Sequence, residues 1–93
     1  MSQTVEKPRV GGPGTGHGDD RKVIVLNDDH NTFDHVASTL ARYVPSVSID
    51  QGFQLANKIH SAGRAIVWSG DKERAELIWE QCKDAGLTMA PLT

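Results

Sequence analysis

The sequence predicts an α+β domain, a small β-α-α-β-α-β sandwich in which a three-stranded sheet packs against three helices. Three observations carry this prediction. Two short, β-branched runs, "KVIVL" (Lys22 to Leu26) and "RAIVW" (Arg64 to Trp68), read as strands buried on at least one face. Between them lie two stretches whose apolar residues recur at helical spacing, and a third such stretch follows the second run. The segment "LTMAPL" then fits a final short strand closed off by Pro91. Strands and helices in this order give one sheet with helices packed on it.

Each element has its own signals. Thr32 can cap the first helix, with Asp34 in the first turn complementing the helix dipole. Phe33, Val36, Ala37, Leu40 and Val44 share one face, and Pro45 ends the element. Ser48 with Gln51 forms a capping box for the second helix. Its inward face is expected to hold Gly52, Phe53, Ala56, Ile59 and His60, with Gly63 as the stop. After a Ser69-Gly70-Asp71 turn, Ala75, Ile78, Trp79 and Cys82 align on a third helix that Gly86 terminates.

Residues 1 to 21 are different. They carry Gly11, Gly12, Gly14, Gly16 and Gly18, two prolines and few branched aliphatics. Such a segment cannot bury enough apolar surface to offset the entropy of ordering it, so a disordered N-terminal arm is expected. Residues 22 to 93 remain as a single domain, near the lower size limit for a core without staples. Within the arm, "GGPGTGHGDD" starts like a phosphate-binding loop but lacks the final Lys-Ser/Thr and follows no strand. Nucleotide binding is therefore not expected there.

Composition excludes several classes. The single Cys82 rules out an internal disulfide and a multi-thiolate zinc site. No stretch is long enough to cross a bilayer, and no apolar signal core opens the chain. A net charge of −2 offers nothing for nucleic acid to bind. A monomer in a reducing cytoplasm, or an equivalent compartment, is the expected setting.

The polar run "NDDHNT" (residues 27 to 32), at the strand-to-helix junction, is where function is expected. Asp28 and Asp29 are adjacent and leave a strand pointing apart, so they do not flank one reacting atom as a catalytic pair must. A phosphoacceptor domain also begins with paired acids after a strand, but needs a longer alternating chain. No nucleophile–base pair is evident, and no enzyme is expected. His30 and His35 are five apart, off the four-residue spacing that shares a helix face, so no metal is expected. No cofactor is expected either. An Asx-turn and a helix cap explain part of the run, since these short side chains bond nearby backbone N–H groups. One cap needs one acceptor, not five.

Together, "LNDDHNTFDHV", "IHSAGRAIVW" and "AGLTMAPL" resemble the ClpS family of N-degron adaptors, with wording closest to cyanobacterial or plastid members. The resemblance spans residues 22 to 93, centred on "NDD" after the first strand and the His–Gly–Arg–Ala pattern ending the second helix. It implies the same β-α-α-β-α-β sandwich. It also implies an adaptor, not an enzyme, that grips the bulky hydrophobic first residue of a protein, with Leu favoured, and delivers it to a ClpC- or ClpA-type unfoldase. The setting implied is the cytoplasm or plastid stroma.

Carried over by position, Asn27, Asp28 and His60 resemble the groups that hold a free α-ammonium. Asn31 stands where the family has Thr near the first peptide group. Phe33, Val36, Ala56 and Ile59 fall on the side-chain pocket, with Thr88 or Met89 at its floor. An ammonium offers three donors and no acceptor, so converging acceptors suit it. Charge-assisted bonds of about 1.5–3 kcal/mol each, plus burial of one side chain, imply a dissociation constant on the order of micromolar after association costs.

Three departures mark this chain. The family's Tyr-Thr-Pro-Met is His30-Asn31-Thr32-Phe33, the loop at Pro45 is one residue longer, and Ala56 replaces a gatekeeper Met. The alternative is a small protein-interaction module without N-terminal specificity, since a similar sandwich occurs in the ribosomal stalk protein.

Overall fold

The computed structural model describes residues 20–92. Most of the expected N-terminal arm, including the glycine-rich run, therefore lies outside the described residues. The order is β1 (Arg21–Leu26), α1 (Phe33–Tyr43), α2 (Ile49–Ala62), β2 (Arg64–Gly70) and α3 (Lys72–Asp84). Strands β1 and β2 pair antiparallel, and all three helices pack on one face of the sheet.

Alternation decides which side chains enter the core. Val23 and Val25 of β1, with Ala65 and Val67 of β2, point inward against Leu40, Ile59, Ile78 and Cys82. Between Val23 and Ile24 the register shifts, because Val67 is an extra residue on β2. This bulge lets Val67 turn into the core while Trp68 still pairs with Val23. The opposite sheet face carries Lys22, Arg64 and Ile66, all exposed.

Helices α1 and α2 approach closely because Gly52 has no side chain. A Cβ there would run into the carbonyl of Ala37. The capping box of α2 forms in full: Gln51 N–H donates to Ser48 Oγ at 3.1 Å, and Ser48 N–H to Gln51 Oε1 at 2.9 Å. Gly63 ends α2 in the left-handed region at φ 91°.

The final segment corrects the expected sheet. A third full strand does not form; residue 89 makes a single bridge to Val25, flanked by Leu26 N–H to Thr88 C=O and Ala90 N–H to Ile24 C=O. The pairing stops there for two reasons. The Ala90 carbonyl accepts the Trp79 indole N–H at 2.7 Å, and Pro91 has no N–H to offer.

Two smaller differences follow from packing. Phe53 and His60, expected inward, are exposed (Phe53 at 39%), because Gly52, Ala56 and Ile59 already define the inner face and positions 53 and 60 fall beside it. Ser69 and Gly70, expected in a turn, extend β2 by pairing with Lys22 and Arg21.

Candidate functional site

The polar junction is shaped by local bonds before any ligand is considered. As the chain leaves β1, Asn27 N–H donates to the Gly63 carbonyl at 2.9 Å, which ties the loop to the end of α2. Asp28 then reverses the chain: its Oδ1 accepts the backbone N–H groups of His30 and Asn31, each at 2.8 Å. Thr32 caps α1 by accepting His35 N–H at 3.0 Å. The turn and the cap expected from the sequence are both present.

Asp28 also reaches across the fold. Its Oδ2 accepts Asn31 Nδ2 at 2.8 Å and Thr88 Oγ1 at 2.6 Å. Burial alone would favour the neutral acid, but donors from Thr88, Asn31 and His30 outweigh it and hold the carboxyl well below the usual range. Asp28 is therefore a fixed negative charge. A carboxylate offers about four acceptor positions, and the four donors fill them.

The same loop clasps the end of α3. Asn31 Nδ2 donates a second bond, to the Gly86 carbonyl at 2.9 Å, and His35 Nε2 lies 2.8 Å from the Ala85 carbonyl. A carbonyl only accepts, so that histidine nitrogen carries the proton. His35 is thus a structural tie. Gly86, at φ 100°, closes a C-terminal motif in which Gly86 N–H bonds Lys83 and Leu87 N–H bonds Cys82.

All eight residues singled out in the sequence border one cavity of about 50 Å³. One water needs roughly 10–15 Å³ on this measure, so the space suits a few waters or one compact side chain. Asn27, Asp28, Asn31 and His60 border it together with Thr88. Phe33, Val36, Ala56 and Ile59 give it an apolar wall. The Asn27 side chain makes no hydrogen bond among the described residues. At the mouth, the Phe33 and His60 rings meet edge to face, 5.3 Å between centroids and 65° between planes.

The floor differs from expectation in one residue. Thr88 lines the cavity, but Met89 does not; it borders a separate groove with Trp79 and Leu92. Leu87 takes its place, together with Val25 and Leu26 from β1. The signal for Leu87 was the preceding glycine, because the apolar residue after such a helix stop packs back under the helix.

Cys82 is fully buried, and burial pushes its thiol up to about 11, so the thiolate is scarce. Among the described residues, no three His, Cys, Asp or Glu side chains group as a metal site requires. No helix there is long and apolar enough to cross a membrane.

Comparison with known proteins converges on one family. Residues 17–93 match the family model for the ATP-dependent Clp protease adaptor protein ClpS. The chain is similar to the ATP-dependent Clp protease adapter protein ClpS of Thermosynechococcus vestitus, 58% identical over 71 residues, 76% of each chain. It is also similar to the ClpS of Nostoc sp., 56% identical over 71 residues, 76% of this chain and 73% of the relative. In fold it resembles Agrobacterium tumefaciens ClpS2 bound to L-phenylalaninamide, with a TM-score of 0.66 and 28% identity over 81% of this chain and 93% of the other. With the family model covering the whole folded region and cyanobacterial relatives this similar, the chain belongs to the ClpS family of Clp protease adaptors.

Proposed function

We propose that this adaptor recognises the free N-terminal residue of a protein, with a bulky hydrophobic side chain, and hands that protein to a ClpC- or ClpA-type unfoldase. One observation carries the reading: Asn27, Asp28, Asn31, Phe33, Val36, Ala56, Ile59 and His60 border a single cavity, lined by both polar and apolar side chains. An N-terminal residue has the same two parts, a charged amine beside an apolar side chain.

The parts divide the work. Asp28 supplies the negative charge that attracts an ammonium, and the unpaired amide of Asn27 and the ring of His60 flank it. Asn31 spends both amide protons on Asp28 and Gly86, so its carbonyl is left to accept the next peptide N–H. The apolar wall takes the side chain, and the small volume favours Leu. L-phenylalaninamide, held by the Agrobacterium relative, joins a free α-amine to an apolar side chain and supports the same reading. A cytoplasmic or stromal adaptor needs no cofactor for this task.

Titrating Leu-initiated peptides with free and acetylated N-termini tests the proposal. Tight binding of the free form alone supports it. Equal binding of both forms would instead indicate a protein-interaction module without N-terminal specificity.

A further inference from the structure

We infer that Thr88 is a direct acceptor for the N-terminal amine, with its hydroxyl converted into a pure acceptor by Asp28. This rests on the N-terminal reading above and adds a residue to it.

A threonine hydroxyl has one proton and two lone pairs. Thr88 Oγ1 lies 2.6 Å from Asp28 Oδ2, in the range of a charge-assisted O–H···O⁻ bond. An ionised carboxylate has no proton to give, so the shared proton belongs to Thr88. The hydroxyl oxygen is then left with acceptor positions only.

Asp28 is in the opposite condition. His30 N–H, Asn31 N–H, Asn31 Nδ2 and Thr88 Oγ1 already occupy its acceptor positions. Two of these donors are backbone groups of its own turn, and the third also holds the Gly86 carbonyl. A ligand amine therefore meets the charge of Asp28 through the oxygen bonded to it. Hydrogen bonds in such a chain polarise one another, so the carboxylate makes the Thr88 oxygen a stronger acceptor.

Position agrees with this role. Thr88 borders the same cavity as Asn27 and His60, and its backbone is pinned by Leu26 N–H at 2.8 Å. Three acceptors, Asn27 Oδ1, a ring nitrogen of His60 and Thr88 Oγ1, then match the three donors of an ammonium.

Thr88→Val removes the hydroxyl while keeping the shape, and Thr88→Ser keeps the hydroxyl. Calorimetric titration with a Leu-initiated peptide and its N-acetylated form reads both variants. Thr88→Val is expected to weaken binding of the free peptide by about 10- to 100-fold. Binding of the acetylated peptide should not change, and Thr88→Ser should stay within about threefold of the wild type. Unchanged or tighter binding of the free peptide by Thr88→Val overturns the inference, because the hydroxyl then only fills the amine's place. Equal weakening towards both peptides also overturns it, since Thr88 would merely support the floor. If the wild-type chain binds both peptides equally, the N-terminal reading itself has failed and takes this inference with it.

Discussion

On its polar side the cavity is held by four hydrogen bonds converging on Asp28, whereas at its mouth Phe33 and His60 meet only edge to face, 5.3 Å apart. Directional bonds fix positions to a few tenths of an ångström and fail abruptly when a partner is lost. Apolar contacts are individually weak and non-directional, so a wall built from them can change shape gradually. The contrast implies two kinds of selectivity in one pocket. The demand for a free amine should be strict, and the preference among side chains should be adjustable.

The largest expected effect comes from breaking the polar side. Asp28→Ala removes the charge and strips partners from four donors, two of them backbone. Affinity for a free Leu-initiated peptide should fall by at least about 100-fold, and thermal stability should fall with it. Fluorescence anisotropy and a melting curve measure the two losses.

Acid should expose the same network without a ligand. Asp28 holds its proton off well below the ordinary carboxylate range, so the folded state resists protonation that the unfolded chain accepts. Its contribution to stability is then present above the unfolded value, about 3.9, and is lost as pH falls below it. Denaturant unfolding at pH 5 and pH 3 should show a steeper loss for the wild type than for Asp28→Asn. Parallel losses would mean that the network does not hold the charge.

Changing the apolar wall should have a smaller and more selective consequence. Ala56 lines the cavity and is buried, so Ala56→Met adds bulk beside Phe33. The ratio of Leu to Phe affinity should shift by at least roughly tenfold, since even a methylene-sized change in a pocket reaches that scale and Met adds three heavy atoms. Discrimination between free and acetylated peptides should survive. An unchanged first-residue profile would show that position 56 does not touch the ligand side chain.

The smallest effect is expected from deleting residues 1–19, whose composition offers no core. Thermal stability and peptide affinity should be unchanged within error, while delivery to the unfoldase slows. Lost peptide affinity would place the arm in the pocket.

Legibility from sequence follows the same division. The helices and the cap residues Thr32 and Ser48 were readable because their signals lie within a few residues of each other. Periodicity also locates Val36 on α1 and Ala56 and Ile59 on α2, since each lies on the buried face of its helix. The end of the third strand is not legible locally, because its limit is a bond from outside it, the Trp79 indole capturing the Ala90 carbonyl. The Thr88–Asp28 pair spans sixty residues of sequence, and no local pattern announces it. Phe33 looked like a core residue by spacing, yet it is 41% exposed, because the helix begins there and its ring turns to the cavity mouth.

The central claim is that the polar side of this cavity selects a free α-amine, and one titration tests it most directly. A Leu-initiated peptide is compared with its N-acetylated form, identical in every side chain. Acetylation removes the charge and two of the amine's three donors, so affinity should fall by at least about 100-fold. Equal affinity for the two peptides would contradict the claim.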